Sequence, residues 1–483
     1  MQQSLLAQLF TWLANVQWFF LLYFIAINLV YLLLNVVSIL YIRRYTQERD
    51  LDEIPPFYSA FAPPVSLLVP AYNEETTIVA SLRSMFQIIY PEYDVIVIND
   101  GSKDRTMQVL IEAFDLVPLP DAYTTSLRTQ KIKAVYLSTR YHWLRVIDKE
   151  NGGKADSLNA GINISNNALV CCVDADSILQ SDSLIRVVQP FMEEPATIAC
   201  GGTIRIANGC VMEGSTVSQV RLPRHPLALI QVVEYLRAFL FGRLGWSPLN
   251  ALLIISGAFS VFRRDAVIAV GGYCTHTVGE DMELVVRLHR HYRLNQLPYR
   301  ITFVPDPICW TDVPEDIKTL RNQRTRWQRG LAESLWLNRQ LLLHPKSGLV
   351  GWLAFPFMLL FEMLSPWIEL AGYVFMVLGL LGGFVSPVAF SAFLLVSVGL
   401  GLLLSVNALL LEEMSFHLYA RATDTLRLLA ALLVENLGYR QMTLCWRATG
   451  LFQWLFRRKA NWGAMKRTSG LATPSAGVNS TGR

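Results

Sequence analysis

Asp174 and Asp176 stand two apart in Val173-Asp174-Ala175-Asp176-Ser177, directly after the apolar run Ala168-Leu169-Val170-Cys171-Cys172. A strand ending in Asp-x-Asp delivers two carboxylates to one edge of a sheet. Such oxygens suit Mg2+ or Mn2+, and that cation in turn suits the oxygens of a diphosphate. Asp176 is the expected direct ligand and Asp174 a ligand or nucleotide contact. The plainer alternative for Asp176 is a helix cap. Further along come Gly279-Glu280-Asp281 and Gln323-Arg324-Thr325-Arg326-Trp327. Asp281 can take a proton from a reacting hydroxyl. Glu280 and Asp281 also suit the first turn of a helix over Met282–His291. Arg324 and Arg326 are cations matched to a diphosphate. Trp327 either offers a flat face to a ring or anchors at a membrane surface.

The elements that position these groups alternate strand, turn and helix from residue 65 to about 310. Val65–Val69 reads as a short buried strand ending at Pro70. Its loop is Ala71-Tyr72-Asn73-Glu74-Glu75, with Thr76 or Thr77 capping a helix over 78–88. Val95–Ile98 is a second strand, ending at Asn99-Asp100-Gly101-Ser102, and Ala168–Val173 is a third. Strands alternating with helices imply a mostly parallel sheet, whose ligands bind beyond the carboxyl ends of the strands. Tyr72, Glu74, Asp100, Asp174 and Asp176 all fall at those ends. Asp100 either accepts hydrogen bonds from a base or ribose or caps the helix after Gly101. Lys154, behind Gly152-Gly153, either approaches a nucleotide or is a solvated lysine at a helix start.

A chain of 483 residues is too long for one ordinary domain. Its 52% hydrophobic and 17% charged composition is skewed toward membrane proteins. The skew is local. Residues 1–42 contain no Asp, Glu, Lys or Arg, and residues 349–411 contain only Glu362 and Glu369. Trp18 to Ile42 is long enough to span a bilayer. Arg43 and Arg44 follow it, which places the next domain in the cytoplasm. No basic n-region of a signal peptide precedes it. Later apolar segments fall near 349–364, 367–385, 388–411 and 425–447. The basic tail after them requires an even number of crossings, and four are expected rather than two. The seven cysteines show no C-x-x-C spacing, so neither a disulfide framework nor a zinc site is implied. A net charge of +4 without a basic-aromatic patch gives no reason to expect nucleic acid.

Taken in order, six segments resemble the motifs of family 2 membrane glycosyltransferases. They are Pro70-Ala71-Tyr72-Asn73-Glu74, Asn99-Asp100-Gly101-Ser102, Gly152-Gly153-Lys154-Ala155-Asp156-Ser157-Leu158-Asn159, Asp174-Ala175-Asp176, Gly279-Glu280-Asp281 and Gln323-Arg324-Thr325-Arg326-Trp327. The set is most similar to the processive synthases of cellulose, chitin, hyaluronan and poly-N-acetylglucosamine. It covers roughly residues 65–340 and the layout of flanking membrane helices. Two positions depart from the pattern: Gly279 stands where Thr is frequent, and Asn99 where Asp is frequent.

The resemblance implies an α/β GT-A-type domain, with a mostly parallel sheet, inserted between α-helical transmembrane segments. The expected divisions are an N-terminal transmembrane helix (1–45), a linker (46–64) and a cytoplasmic catalytic domain (65–312). Interfacial helices (313–348), C-terminal transmembrane or interfacial helices (349–456) and a cytoplasmic tail (457–483) follow. Asp281 would be the general base, with Glu280 orienting the site. Tyr72, Glu74, Asp100, Lys154, Asp174, Arg324 and Arg326 would meet the donor, and Gln323 and Trp327 the acceptor. Asp176 and Asp174 would hold Mg2+ or Mn2+. Asn461-Trp462-Gly463-Ala464-Met465-Lys466-Arg467-Thr468 is similar to a loop that closes over the donor, with Lys466 and Arg467 on the diphosphate; a plain basic tail on an anionic membrane is the alternative.

The implied activity is inverting, processive growth of a β-linked polysaccharide from a UDP-sugar, with export across a bacterial inner membrane by a multi-pass protein. Its partners would be the donor, the growing chain, the bilayer and an accessory export subunit. The residues 153–159 favour UDP-N-acetylglucosamine. Transfer of one sugar to a membrane lipid, or a silent nucleotide-sensing scaffold, are the competing readings.

Overall fold

A computed structural model describes residues 2–51, 61–120, 125–213, 216–419 and 421–457. The strands are β1 (Val65–Ala71), β2 (Tyr93–Asn99), β3 (Leu116–Leu119), β4 (Ile132–Ser138), β5 (Leu144–Lys149) and β6 (Leu169–Val173). They continue with β7 (Ile178–Leu179), β8 (Thr197–Ile206), β9 (Val211–Glu213), β10 (Thr216–Gln219), β11 (Phe259–Arg263) and β12 (Arg300–Thr311). Ten of them form one sheet in the order β3-β4-β5-β2-β1-β6-β11-β8-β12-β7. β5, β2, β1 and β6 are mutually parallel, and β8 pairs parallel with β12. β4, β11 and β7 run against their neighbours. Seven of the ten strands therefore share one direction, as the expected α/β GT-A-type sheet requires. β6 and β8 are buried at every residue, which is the pattern of strands covered on both faces.

Register sets the site. Ala71 pairs with Asn99, so the loops after β1 and β2 emerge side by side. Phe259 of β11 pairs with Val173 of β6. This brings Gly257 and Ala258 against the Asp-x-Asp turn, where the Asp174 amide donates to the Ala258 carbonyl at 3.3 Å.

Helix ends differ from expectation in small, explicable ways. The helix expected over 78–88 is Ile78–Met85, and Thr77 at its N-cap gives no side-chain cap. The Thr77 hydroxyl instead donates to Glu74 Oε2 at 2.7 Å. The helix expected from Met282 begins at Glu280. The Gln323–Trp327 motif lies on the helix Ile317–Leu337, capped by Asp316, which accepts from the Thr319 amide at 2.8 Å.

Two helices are long and apolar enough to cross a membrane, Asn15–Gln47 and Pro387–Ser415. Val350–Met363 and Ser365–Leu381 qualify together as a pair bent by 48°. Such bends go with Pro and with π-helical turns; Pro366 and the π turn Met358–Met363 flank this one. Among the described residues, the stretch after the α/β domain therefore offers at most two candidate spans rather than the four expected. The 349–364 and 367–385 segments make one bent unit, and 425–447 is too polar to qualify. The first helix seats Phe24 edge-on against Tyr373 and Phe393, with ring centroids at 5.7 and 5.1 Å. All seven cysteines are unpaired.

Candidate active site

The loops beyond β1, β2 and β6 converge as the parallel sheet requires. Asp100 is buried, and its carboxylate is fully engaged within the protein. Oδ1 accepts from the Gly152 amide at 2.9 Å and pairs with Lys149 Nζ at 2.5 Å. Oδ2 accepts from the Gly153 amide at 2.8 Å and from Asn151 Nδ2 at 3.1 Å. Asp100 is thus the clasp of the Asn151-Gly152-Gly153 turn. It does not cap the following helix; Asp104 accepts from the Thr106 amide there, at 3.0 Å. Gly153 sits at φ +87°, a conformation that favours glycine, and starts the Lys154–Ile164 helix. Lys149 has no exposed side-chain surface and pairs also with Asp156 at 2.7 Å.

Lys154 is not a solvated lysine. Its Nζ pairs with Asp174 Oδ1 at 2.5 Å and donates to the Gly257 carbonyl at 3.0 Å. Burial would lower its pKa, but Asp174, Glu280 and Asp281 outweigh that and hold the ammonium above its ordinary value. Burial pushes the Glu280 carboxyl up to about 7, with Lys154 pulling down and Asp281 adding to the rise. Asp281 stands beside Gly257, where a Cβ would lie 2.9 Å from Asp281 Oδ2 and 3.4 Å from Lys154 Nζ. Glycine there leaves the carboxylate room. Burial lowers the Arg243 guanidinium to about 10, while the Asp281 charge works to raise it.

Asp174 and Asp176 both line the central cavity with Tyr72, Glu74, Asp100 and Lys154. Among the described residues no three His, Cys, Asp or Glu side chains cluster as a metal cage. Two carboxylates with water and phosphate oxygens suffice for Mg2+ or Mn2+, so the residues fit such a cation. Asp174 pairs with Lys154, and Asp176 lies two residues on in the same cavity-lining turn.

The Ile317–Leu337 helix crosses the Glu280–Leu294 helix at a pair of glycines. A Cβ on Gly279 would lie 2.8 Å from the Gly330 Cα, and one on Gly330 equally close to the Gly279 Cα. This close approach accounts for Gly279 where the resembling enzymes often carry Thr. It sets Glu280-Asp281 beside the Gln323–Trp327 turn. Arg324 is buried, donates to Glu234 Oε2 at 2.7 Å, and stacks over Trp327 with its guanidinium carbon 4.3 Å from the ring centroid. Trp327 is 45% exposed and, like Gln323, Arg326 and Arg324, lines the cavity. Lys466 and Arg467 lie outside the described residues.

A cavity of about 1380 Å3 joins these groups to the apolar helices of the C-terminal half. Its far wall includes Tyr31, Glu369, Gly401, Glu435 and Arg440. The charges there are matched: Arg440 with Glu369 at 3.4 Å, Arg237 with Glu435 at 2.6 Å, Arg447 with Glu362 at 2.9 Å. Sequence reading missed Lys149, Glu234, Arg243 and Gly257. Asp156 lay inside a quoted motif without a role. Nothing local links Lys149 to Asp100, 49 residues away; only the parallel pairing of β2 with β5 does so.

Residues 66–271 match the family described as Glycosyl transferase family 2, and residues 169–406 match Glycosyl transferase family group 2. The chain is thus similar to the family 2 glycosyltransferases over residues 66–406. It is 30% identical over 272 residues to poly-beta-1,6-N-acetyl-D-glucosamine synthase of Staphylococcus epidermidis, covering 56% of this chain and 55% of that one. To the same-named synthase of Staphylococcus aureus strain COL it is 31% identical over 273 residues, with the same coverage. The match thus spans just over half the length of these curated relatives. Looser likenesses join it to solved structures. One is the mannosyltransferase PcManGT from Pyrobaculum calidifontis in complex with GDP-Man and Mn2+ (TM-score 0.49, 19% identity, 87% of this chain and 99% of that one). Another is S. aureus TarS 1-349 in complex with UDP-GlcNAc (TM-score 0.40, 14% identity, 78% and 92%).

Proposed function

We propose that this glycosyltransferase is processive, extends a β-linked polysaccharide from UDP-N-acetylglucosamine, and passes the product through its own membrane helices. The carrying observation is a cavity lined both by Asp176, Asp281 and Trp327 and by Glu369 and Arg440. Ionisable residues at membrane depth that face a protein interior mark a polar pathway. Their pairing balances charge, which suits a neutral saccharide. The N-acetylglucosamine assignment draws on the synthase relatives as well as on residues 153–159. Arg43 and Arg44 support a cytoplasmic catalytic domain.

In this reading the acceptor hydroxyl oxygen attacks the anomeric carbon as its proton passes to the Asp281 carboxylate. The bond from that carbon to the diphosphate oxygen breaks on the opposite face, and UDP leaves. An α-linked donor therefore gives a β-linked product. Lys154 holds Asp174 in place, and Arg324 offers charge to the leaving diphosphate. A divalent cation at Asp176 would supply further positive charge to that diphosphate. Activity should vanish in EDTA and return with Mg2+ or Mn2+, and Asp176→Ala should stay inactive with either in excess, with metal-dependent UDP binding lost as well. Full turnover in chelator would remove the ligand assignment.

Trp327 supports processivity because its exposed ring lines the same cavity as the donor residues and the apolar helices. Trp327→Ala should lose long product while UDP affinity changes little. Gel sizing of labelled product tests this and the reading together. A ladder of long chains from the wild type is expected. A single added sugar on lipid would favour the non-processive alternative, and long chains from Trp327→Ala would make the residue an anchor only.

A further inference from the structure

The helix Pro226–Leu240 is joined by two acid–base contacts to the last membrane-side helix. Glu234 Oε2 accepts from Arg324 Nη2 at 2.7 Å and from the Tyr439 hydroxyl at 2.9 Å. One turn on, Arg237 pairs with Glu435 at 2.6 Å. Glu435–Tyr439 is a single π-helical turn, and Leu437 within it leaves helical geometry at φ −102°, ψ 16°. Such turns are uncommon and concentrate at functional places. Both ends of this one are held by the same helix.

Arg324 is 3% exposed, yet among the described residues its Nε and Nη1 have no hydrogen-bond partner. Leaving two buried guanidinium donors unmet is costly unless a ligand takes them. Glu234 engages only Nη2, and both residues line the cavity. A carboxylate beside an anion site opposes anion binding by charge, so affinity for the donor is no reason for Glu234 to be there. Orientation is. We infer that Glu234 is a positioning residue for sugar transfer. It fixes the Arg324 guanidinium so that Nε and Nη1 are presented to the departing diphosphate, and it ties that geometry to Tyr439 in the kinked membrane-side helix. This rests on the reading of Arg324 as a donor-site cation.

The test is a cycle of Glu234→Ala, Arg324→Ala and the double variant in the full-length protein. Each is measured for UDP affinity by calorimetry and for turnover by UDP release. Glu234→Ala should lower kcat by about 10- to 100-fold, the scale of a small misplacement, while UDP binds no more weakly than to wild type. Glu234→Gln keeps an acceptor for Arg324 and Tyr439 and should recover part of the loss. The double variant should be no slower than Arg324→Ala, because Glu234 acts through Arg324. Losses that multiply, UDP affinity that falls in Glu234→Ala as far as in Arg324→Ala, or no recovery with Gln would each overturn the positioning role and leave the donor site standing. Wild-type affinity and turnover in Arg324→Ala would overturn the donor site itself, and Glu234's role with it.

Discussion

Asp281→Asn is expected to bind UDP normally and to lower sugar transfer by about 10²–10⁴-fold, the usual effect of losing a general base. The substitution keeps size and one acceptor oxygen, so the packing beside Gly257 is preserved. What goes, on the proposed mechanism, is the group that takes the proton. Two cations stand near the Asp281 carboxylate. Lys154 Nζ lies within the same small space, and Arg243 feels the Asp281 charge. Burial pushes the neighbouring Glu280 carboxyl up to about 7. Titration with UDP and steady-state UDP release from the same preparation separate binding from chemistry. Near-normal turnover would remove Asp281 from the mechanism.

Lys149→Met should be the most destabilising single change in the α/β domain, at about 3–5 kcal/mol. Lys149 has 0% side-chain exposure and sits between Asp100 and Asp156, which are 6% and 7% exposed. Removing the cation leaves two buried carboxylates facing each other without a counter-charge. The damage reaches the site, because Asp100 holds the Gly152 and Gly153 amides and so the start of the Lys154 helix. The thermal midpoint should fall by several degrees and UDP affinity with it. Lys149→Arg keeps the charge in a bulkier fork and should lose less. A Met variant with wild-type midpoint and affinity would show that the three-residue cluster is not what holds the turn.

Much of the site was legible in the sequence because its residues sit in short loops at strand ends, and loop chemistry is local. Asp174 and Asp176 follow an unbroken apolar strand, and Asp281 opens a helix with its own acidic first turn. The meaning of those residues was less legible. Asp100 looked like a ligand for a base or ribose, but the register of β2 with β5 hands it Lys149 and the Gly152 and Gly153 amides. Lys154 looked as much like a solvated lysine as a site residue until β11, inserted antiparallel beside β6, brought Gly257 and Asp174 around it. β11 carries no motif, and its place between β6 and β8 is a long-range choice. The membrane half was read least well. Hydropathy found the apolar segments but not the 48° bend that joins two of them, nor the Arg–Glu pairs that let Glu362, Glu369 and Glu435 sit within it.

The most direct measurement is polymer export by the purified protein in sealed lipid vesicles with the catalytic domain facing out. Labelled UDP-N-acetylglucosamine and Mg2+ are added outside, and a glycoside hydrolase that cannot cross the bilayer follows. Long labelled product that resists the hydrolase until detergent opens the vesicles is the expected result, with none from Asp281→Asn. Labelled product that is all digested before detergent, or that stops at one sugar on lipid, would contradict a cavity that carries the chain from Asp281 through the membrane helices.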